Sequence, residues 1–261
     1  MIDLQGHRAL VTGGTQGIGA AIAQSLAQAG ADIVLHGLTI DEQAHATAAA
    51  CRETGVEVGL IDGDLSGPTE SAVQRVFEQA QTALPGIDIL INNAGTYADM
   101  PFLDMTYQSF ERTMRLNVFS YFFLSQAFSR QWVNDNTHGR ILLIGSINGR
   151  LAEPTHSGYD TSKGAIEMMV KTLCVELAPH QIRVNGLAPG LFRTPLTSSA
   201  LDQPGVLQWM QQHTPNGQVP GPEVAGAAAA FLVSDVADHI HGQMLLIDGG
   251  MSVWQQPDLQ T

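Results

Sequence analysis

Tyr159 and Lys163 stand four residues apart in the run YDTSKG at 159–164. On a helix, residues at that spacing share a face. A free phenol ionises at about pH 10 and is a poor base at neutral pH. An ammonium group a few ångströms away favours the phenolate. The pair could then move a proton to and from an alcohol. Pairs at this spacing also decorate ordinary helices, so it is read together with what else the chain supplies.

The totals narrow the setting. The chain has 261 residues, 44% hydrophobic and 14% charged. That is globular composition, long enough for a substantial core. The formal net charge of -13 opposes binding to nucleic acid or to an anionic membrane surface. Cys51 and Cys174 belong to no CxxC or Cys/His cluster, so neither a disulfide framework nor a zinc site is expected. The nine histidines have no partners at metal-ligand spacing, and no metal is expected. The start, MIDLQGHRALVTGG, lacks a basic region followed by an apolar run. No segment approaches the about 18 apolar residues of a membrane span. A cytoplasmic protein is expected.

Short apolar runs alternate with longer helical segments. Strands are predicted at 8–12, 32–36, 56–62, 87–91, 140–145, 182–188 and 244–249. Helices are predicted at 17–29, at about 40–54, between the third and fourth strands, at about 106–133, and from Tyr159 to Ala178. Runs such as DILI and ILLI are apolar at consecutive positions, as in strands buried on both faces. The alternation predicts an α/β fold: one Rossmann-type doubly wound sheet of about seven parallel strands flanked by helices. Residues 1–261 are read as a single domain, with a substrate lid at about 190–215.

TGGTQGIG at 12–19 follows the first strand and opens the first helix. There Gly13 permits a sharp turn, Gly17 a close approach of pyrophosphate to the backbone, and Gly19 tight helix–strand packing. The helix N-terminus then offers free N–H groups to phosphate. The spacing Gly-x3-Gly-x-Gly differs from the commoner G-x-G-x-x-G.

These runs join others in one order: Asp64-Leu65 after the third strand, NNAG at 92–95, Asn117, Ser146 after the fifth strand, YDTSK at 159–163, and Pro189-Gly190. The set resembles the short-chain dehydrogenase/reductase family in its form of about 250 residues, from Gly6 to about Gly250. The resemblance implies hydride transfer between a nicotinamide dinucleotide and an alcohol or ketone. It makes Tyr159 the acid/base and Lys163 the group that lowers its pKa and holds the nicotinamide ribose. Ser146, thirteen residues before Tyr159, steadies the reacting oxygen, and Asn117 positions a water that links the lysine to solvent. It also implies that Gly13, Thr15, Gln16, Gly17, Ile18 and Gly19 hold the dinucleotide. Asp64 and Leu65 take the adenine, Asn93, Ala94 and Gly95 pack on the adenosine, and Pro189, Gly190 and Thr194 cap the nicotinamide. The family forms homotetramers through its long helices, and Phe122, Phe123, Met168 and Met169 are a surplus of apolar residues there.

Cofactor choice falls at the end of the second strand, where an acid selects NAD and a base selects NADP. Here those positions are Gly37 and Leu38, preceded by His36, and Gln16 stands where a cation often precedes Gly17. The strand end resembles that of NAD-dependent 3-hydroxybutyrate dehydrogenases, and NAD is favoured. Only His36 could serve a 2′-phosphate as a cation.

For substrate, the loop GRLAEPTHSG at 149–158 offers Arg150, Glu153 and His156, suited to a hydroxyl-rich ligand. With Ser146, Asn148 and Trp209 these form the predicted substrate set. The stretch from Tyr159 to Pro195 resembles that of sugar dehydrogenases. A sugar or polyol is the expected small-molecule partner. A reductase of 3-oxoacyl or other ketones using NADPH is the second reading. A dinucleotide sensor without catalysis is a third, and the four intact catalytic positions oppose it.

Overall fold

The computed structural model describes residues 2–254. Seven strands form one sheet: β1 (Arg8–Thr12), β2 (Asp32–Gly37), β3 (Val58–Asp62), β4 (Ile89–Asn92), β5 (Arg140–Ile144), β6 (Arg183–Pro189) and β7 (Met244–Ile247). Their order is β3-β2-β1-β4-β5-β6-β7, and every neighbouring pair is parallel. This is the doubly wound sheet that the strand spacing predicts. The order reverses at β1 and β4, where the loops leaving the carboxyl ends of the two strands part and open a crevice.

Nine helices lie among the described residues: α1 (Gly17–Gln28), α2 (Glu42–Arg52), α3 (Thr69–Ala83), α4 (Tyr107–Met114), α5 (Ser120–Asp135), α6 (Ser157–Leu177), α7 (Ser198–Leu201), α8 (Val206–Gln212) and α9 (Glu223–Val233). None is long and apolar enough to cross a membrane.

The two-residue period of a strand divides the core in two. Ala9, Val11, Ile33, Leu35, Ile89, Ile91, Leu142 and Ile144 pack with Ile22 and Leu26 of α1, Ala48 of α2 and Ala225 and Ala229 of α9. The intervening Leu10, Val34, Leu90, Ile141 and Leu143 face the other way, onto α3, Phe128 and Trp132 of α5, and Ile166 and Val170 of α6. Consecutive apolar residues are required because both faces are covered. Met169 belongs to this second core, whereas Phe122, Phe123 and Met168 stay exposed.

Two helices depart from the periodicity. The long helix expected at 106–133 is interrupted at Arg115–Phe119 by a π turn between α4 and α5. The run EVAGAAAAFLV carries no apolar–polar period to mark it, yet it forms α9 and packs closely on α1. Small side chains allow that approach. A Cβ on Gly226 would lie 2.0 Å from Ser25 Oγ and 2.8 Å from the Ala21 carbonyl oxygen.

Helix propensity and packing therefore oppose each other at Gly226. Propensity alone favours alanine over glycine by about 1 kcal/mol. Overpacking of a closed interface costs about 1–3 kcal/mol. Gly226→Ala should lower the urea midpoint without changing the slope of the transition; a raised midpoint would mean that α1 and α9 are less tightly apposed.

Candidate active site

The crevice is built first by a clasp between β1 and β4. Thr12 Oγ1 accepts from the N–H groups of Asn93 (2.9 Å) and Ala94 (3.1 Å) and donates to the Ile91 carbonyl at 3.3 Å. Asn93 Nδ2 donates back to the carbonyls of Thr12 and Gly13 at 2.9 and 3.1 Å. Gly13 and Gly17 take left-handed φ values of 60° and 55°, a region that glycine enters without penalty. A Cβ on Gly19 would sit 2.1 Å from the Gly13 carbonyl oxygen, so α1 presses directly on the turn. No side chain caps the start of α1. Its first N–H groups are left to face the cleft, as a phosphate requires.

One cleft is lined by Gly13, Thr15, Gln16, Gly17, Ile18, His36, Gly37, Leu38, Asp64, Leu65, Asn93, Ala94, Gly95, Ser146, Tyr159, Lys163, Pro189, Gly190 and Thr194. Gly19 lies beneath the turn. Arg112 of α4, Thr96, Phe192 and Pro195 line it as well. Arg112 had no marker in the sequence. It helps to hold the Asp64 carboxyl below its usual range, an effect due first to the Ser66 hydroxyl at 2.6 Å.

At the end of β2, position 37 has no room for a charged side chain. A Cβ at position 37 would meet Thr15 Cγ2 at 2.8 Å and the Thr39 carbonyl at 2.9 Å. Leu38 is largely exposed. His36 is buried, with Nε2 3.0 Å from the Gly63 carbonyl and Nδ1 3.4 Å from the Gly13 N–H. Those partners fit the neutral ring with the proton on Nε2. Burial pulls its pKa down to about 4, against the opposing Gly63 bond and Asp62. His36 is thus a strut between two loops. It is no cation for a 2′-phosphate, which removes that expectation.

The catalytic candidates come from four elements. Ser146 follows β5 in extended conformation; its Oγ accepts from the Asn148 N–H at 3.1 Å and lies 3.3 Å from Asn148 Oδ1. Tyr159 stands in the first turn of α6 and Lys163 one turn on. Lys163 Nζ donates to the Ile144 carbonyl at 2.8 Å and lies 5.6 Å from the centre of the Tyr159 ring. Asn117 sits in the π turn, where such turns often serve a site. Its Oδ1 accepts from the Thr96 N–H at 2.9 Å, and its Nδ2 donates to the Thr96 carbonyl at 2.8 Å and to Ser162 Oγ at 3.0 Å. It therefore ties the loop after β4 to α6.

The expected lowering of the Tyr159 pKa is not what this structure gives. Burial pushes the phenol up to about 12. The Ser146 hydrogen bond opposes that rise, while Asp160, Glu153 and Tyr97 add to it. Burial brings Lys163 down to about 8. Desolvation shifts both members of the pair toward their neutral forms, and Lys163 still carries its charge at neutral pH.

The predicted substrate residues divide. Ser146 lines the cleft. Asn148 is buried behind it, while Glu153 and His156 lie on the adjoining loop. Trp209 stacks on His213 with ring centres 3.8 Å apart and does not line the cleft. Tyr97, two residues after NNAG, lies edge-on to both His156 and Tyr159.

His36 gives a pH test. Its folded pKa is below the unfolded value of about 6.5, so the unfolded chain binds more protons between the two. Stability from the neutral ring is present above pH 6.5 and lost as pH falls toward 4. The loss should reach about 3 kcal/mol at the acid end. Urea titrations of wild type and His36→Gln across that window should show a slope in wild type that the variant lacks; parallel curves would refute the assignment.

Comparison with known proteins agrees with this geometry. The family model described as enoyl-(acyl carrier protein) reductase matches residues 13–252. The 5-keto-D-gluconate 5-reductase of Escherichia coli (strain K12) is 32% identical over 97% of this chain and 98% of its own. The L-rhamnose 1-dehydrogenase (NADP(+)) of Thermoplasma acidophilum is 32% identical over 97% and 99%. The crystal structure of a gluconate 5-dehydrogenase from Burkholderia cenocepacia J2315, in complex with NADP and tartrate, superposes with a TM-score of 0.90 at 33% identity, covering 97% of this chain and 98% of that one. The chain belongs to the short-chain dehydrogenase/reductase family and is an NAD(P)-dependent oxidoreductase.

Proposed function

We propose that this enzyme interconverts a secondary alcohol of a sugar or polyol with its ketone, or the hemiacetal hydroxyl of an aldose with its lactone, with NAD as its preferred dinucleotide. The observation that carries the reading is the meeting of Ser146, Tyr159 and Lys163 in the cleft, beside the polar loop of Glu153 and His156. Three of the relatives that span nearly the whole chain are named for ketogluconate, rhamnose and gluconate, which supports a hydroxyl-rich substrate. For NAD the support is local. The wall at Gln16, His36, Gly37 and Leu38 offers a 2′-phosphate no charge, because His36 is neutral.

The residues present fit a nicotinamide dinucleotide. The uncapped start of α1, with Gly13 and Gly17 in left-handed backbone, would receive its phosphates. When bound, the dinucleotide accepts or gives hydride at its nicotinamide ring. The chain handles the proton. In the oxidative direction the Tyr159 oxygen takes it from the substrate hydroxyl, and the Ser146 hydroxyl, oriented by Asn148, steadies the same oxygen. Lys163, anchored on the Ile144 carbonyl, favours the phenolate by its charge. Asn117 fixes α6 against the loop after β4, which holds Tyr159 in register with Ser146.

A matrix of NAD and NADP against sugars, polyols, hydroxy acids and 3-oxoacyl thioesters, followed through nicotinamide absorbance, tests the reading. Turnover with NAD and a sugar or polyol is expected. NADPH oxidation confined to the thioesters would replace the reading with a 3-oxoacyl reductase. Tyr159→Phe should lower kcat by about 10²–10⁴-fold. Oxidation needs the phenolate, so its rate rises with pH, and Lys163→Met should move that rise to higher pH. Wild-type turnover in Tyr159→Phe, or an unmoved limb in Lys163→Met, would refute the assigned roles.

A further inference from the structure

The sugar reading leaves open what charge the substrate carries, and the wall beside Tyr159 bears on it. Two loops meet there, joined by the Met100 N–H donating to the Thr155 carbonyl at 2.9 Å. The rings of Tyr97, His156 and Tyr159 form an edge-on cluster, with centres 5.6 to 6.3 Å apart. Glu153 Oε2 lies 2.8 Å from His156 Nδ1, in an alignment that falls short of a hydrogen bond. Asn148 Nδ2 donates to Glu153 Oε2 at 3.2 Å and to Asp160 Oδ1 at 3.0 Å. Asp160 Oδ2 in turn accepts from the Glu153 N–H at 3.0 Å. Through Asn148 both carboxylates are one side chain away from Ser146. Asp160 adjoins Tyr159 in α6, and Glu153 sits against His156, whose ring centre is 6.3 Å from that of Tyr159, so both carboxylates flank the rim of the cleft beside the phenol.

The cations of these loops, of α6 and of the segment after β6 are committed elsewhere, and Arg112 lines the cleft on the Asp64 side. Arg150 binds Glu167 at 2.7 Å, and Arg193 binds Asp202 at 2.7 Å. Lys163 turns to the Ile144 carbonyl. His156 faces Glu153, and the same loop pair carries the exposed Asp99. The wall therefore holds carboxylates in excess of cations.

We propose that Glu153 and Asp160 select substrate by charge: the enzyme takes an uncharged aldose or polyol, whose hydroxyls can donate to carboxylates, and rejects aldonates and ketoaldonates. An anionic substrate would bring a third carboxylate into a partly desolvated site with two already present, where like charges repel strongly. The inference rests on the sugar reading and deepens it.

The test compares kcat/KM for D-glucose, L-rhamnose and a neutral polyol with that for D-gluconate, at matched ionic strength and saturating dinucleotide. The best neutral substrate should exceed gluconate by tenfold or more. Glu153→Gln and Asp160→Asn, which keep an acceptor for Asn148 and remove charge, should each narrow that ratio severalfold, mainly through KM for gluconate. Gluconate preferred by wild type, or a ratio unmoved in both variants, overturns the proposal. If only ketones are turned over, the sugar reading itself has failed. A 3-oxo carboxylate against its methyl ester then carries the same charge comparison, and equal use of the two overturns the proposal there. Silence with every substrate counts against both.

Discussion

At the reversal of strand order one threonine hydroxyl serves three backbone groups. Thr12 Oγ1 takes the N–H groups of Asn93 and Ala94 and gives its proton to the Ile91 carbonyl. The two loops that part at this point would otherwise leave these groups without partners in a buried place. Each stranded group would cost about 1–3 kcal/mol. Asn93 returns the tie by binding the carbonyls that begin the glycine turn. Once the turn is held, Gly19 can bring α1 onto the Gly13 carbonyl, and the helix N-terminus points into the cleft. Everything that the cleft offers to a phosphate depends on this clasp.

Burial is the second force, and it acts on the chemistry. Three buried groups of the cleft are driven toward neutrality: His36 to about 4, Lys163 to about 8, Tyr159 to about 12. At His36 this serves the fold, because a neutral ring can donate to Gly63 on one side and accept from Gly13 on the other. At Tyr159 it holds the proton until the surroundings become more positive. Tyr121 extends the same setting. Its ring lies 5.8 Å from Lys163 Nζ, and its hydroxyl is buried without a hydrogen-bond partner among the described residues. An aromatic face near an ammonium partly offsets the loss of water around it.

The strands were legible because burial on both sheet faces demands unbroken apolar runs, and the two cores divide those runs by odd and even positions. Tyr159, Lys163 and the glycine turn were legible because their chemistry needs fixed residue types at fixed spacing. The break in the long helix was not. A π turn adds one residue to a helical turn and leaves the apolar pattern almost unchanged, so nothing marked Asn117 as standing outside α-helix. α9 was missed for a related reason: alanine lines it on several sides, and closeness to α1 rather than amphipathicity keeps it in place. Arg112 reaches the site only through the path of the chain, which no local spacing records. Gly37 looked like an acid that was missing. In three dimensions it is a place where Thr15 leaves no room for a side chain.

The cleft is thus made in two ways. On the dinucleotide side the work is done largely by backbone: glycine conformations, an uncapped helix, and loops fastened by Thr12 and Asn93. Such a site depends on the path of the chain and tolerates little change, since a Cβ at Gly19 or Gly37 strikes neighbouring atoms. On the substrate side the work falls to side chains on two loops, joined by one backbone bond between Met100 and Thr155 and by the carboxamide of Asn148. Those residues can be exchanged without disturbing a strand. Asn148 is where the halves meet, because its backbone N–H and Oδ1 hold the Ser146 hydroxyl while its Nδ2 carries Glu153 and Asp160. Hydride chemistry is therefore fixed by the fold, while in the proposed reading choice of substrate rests on a few replaceable charges hung from one buried asparagine.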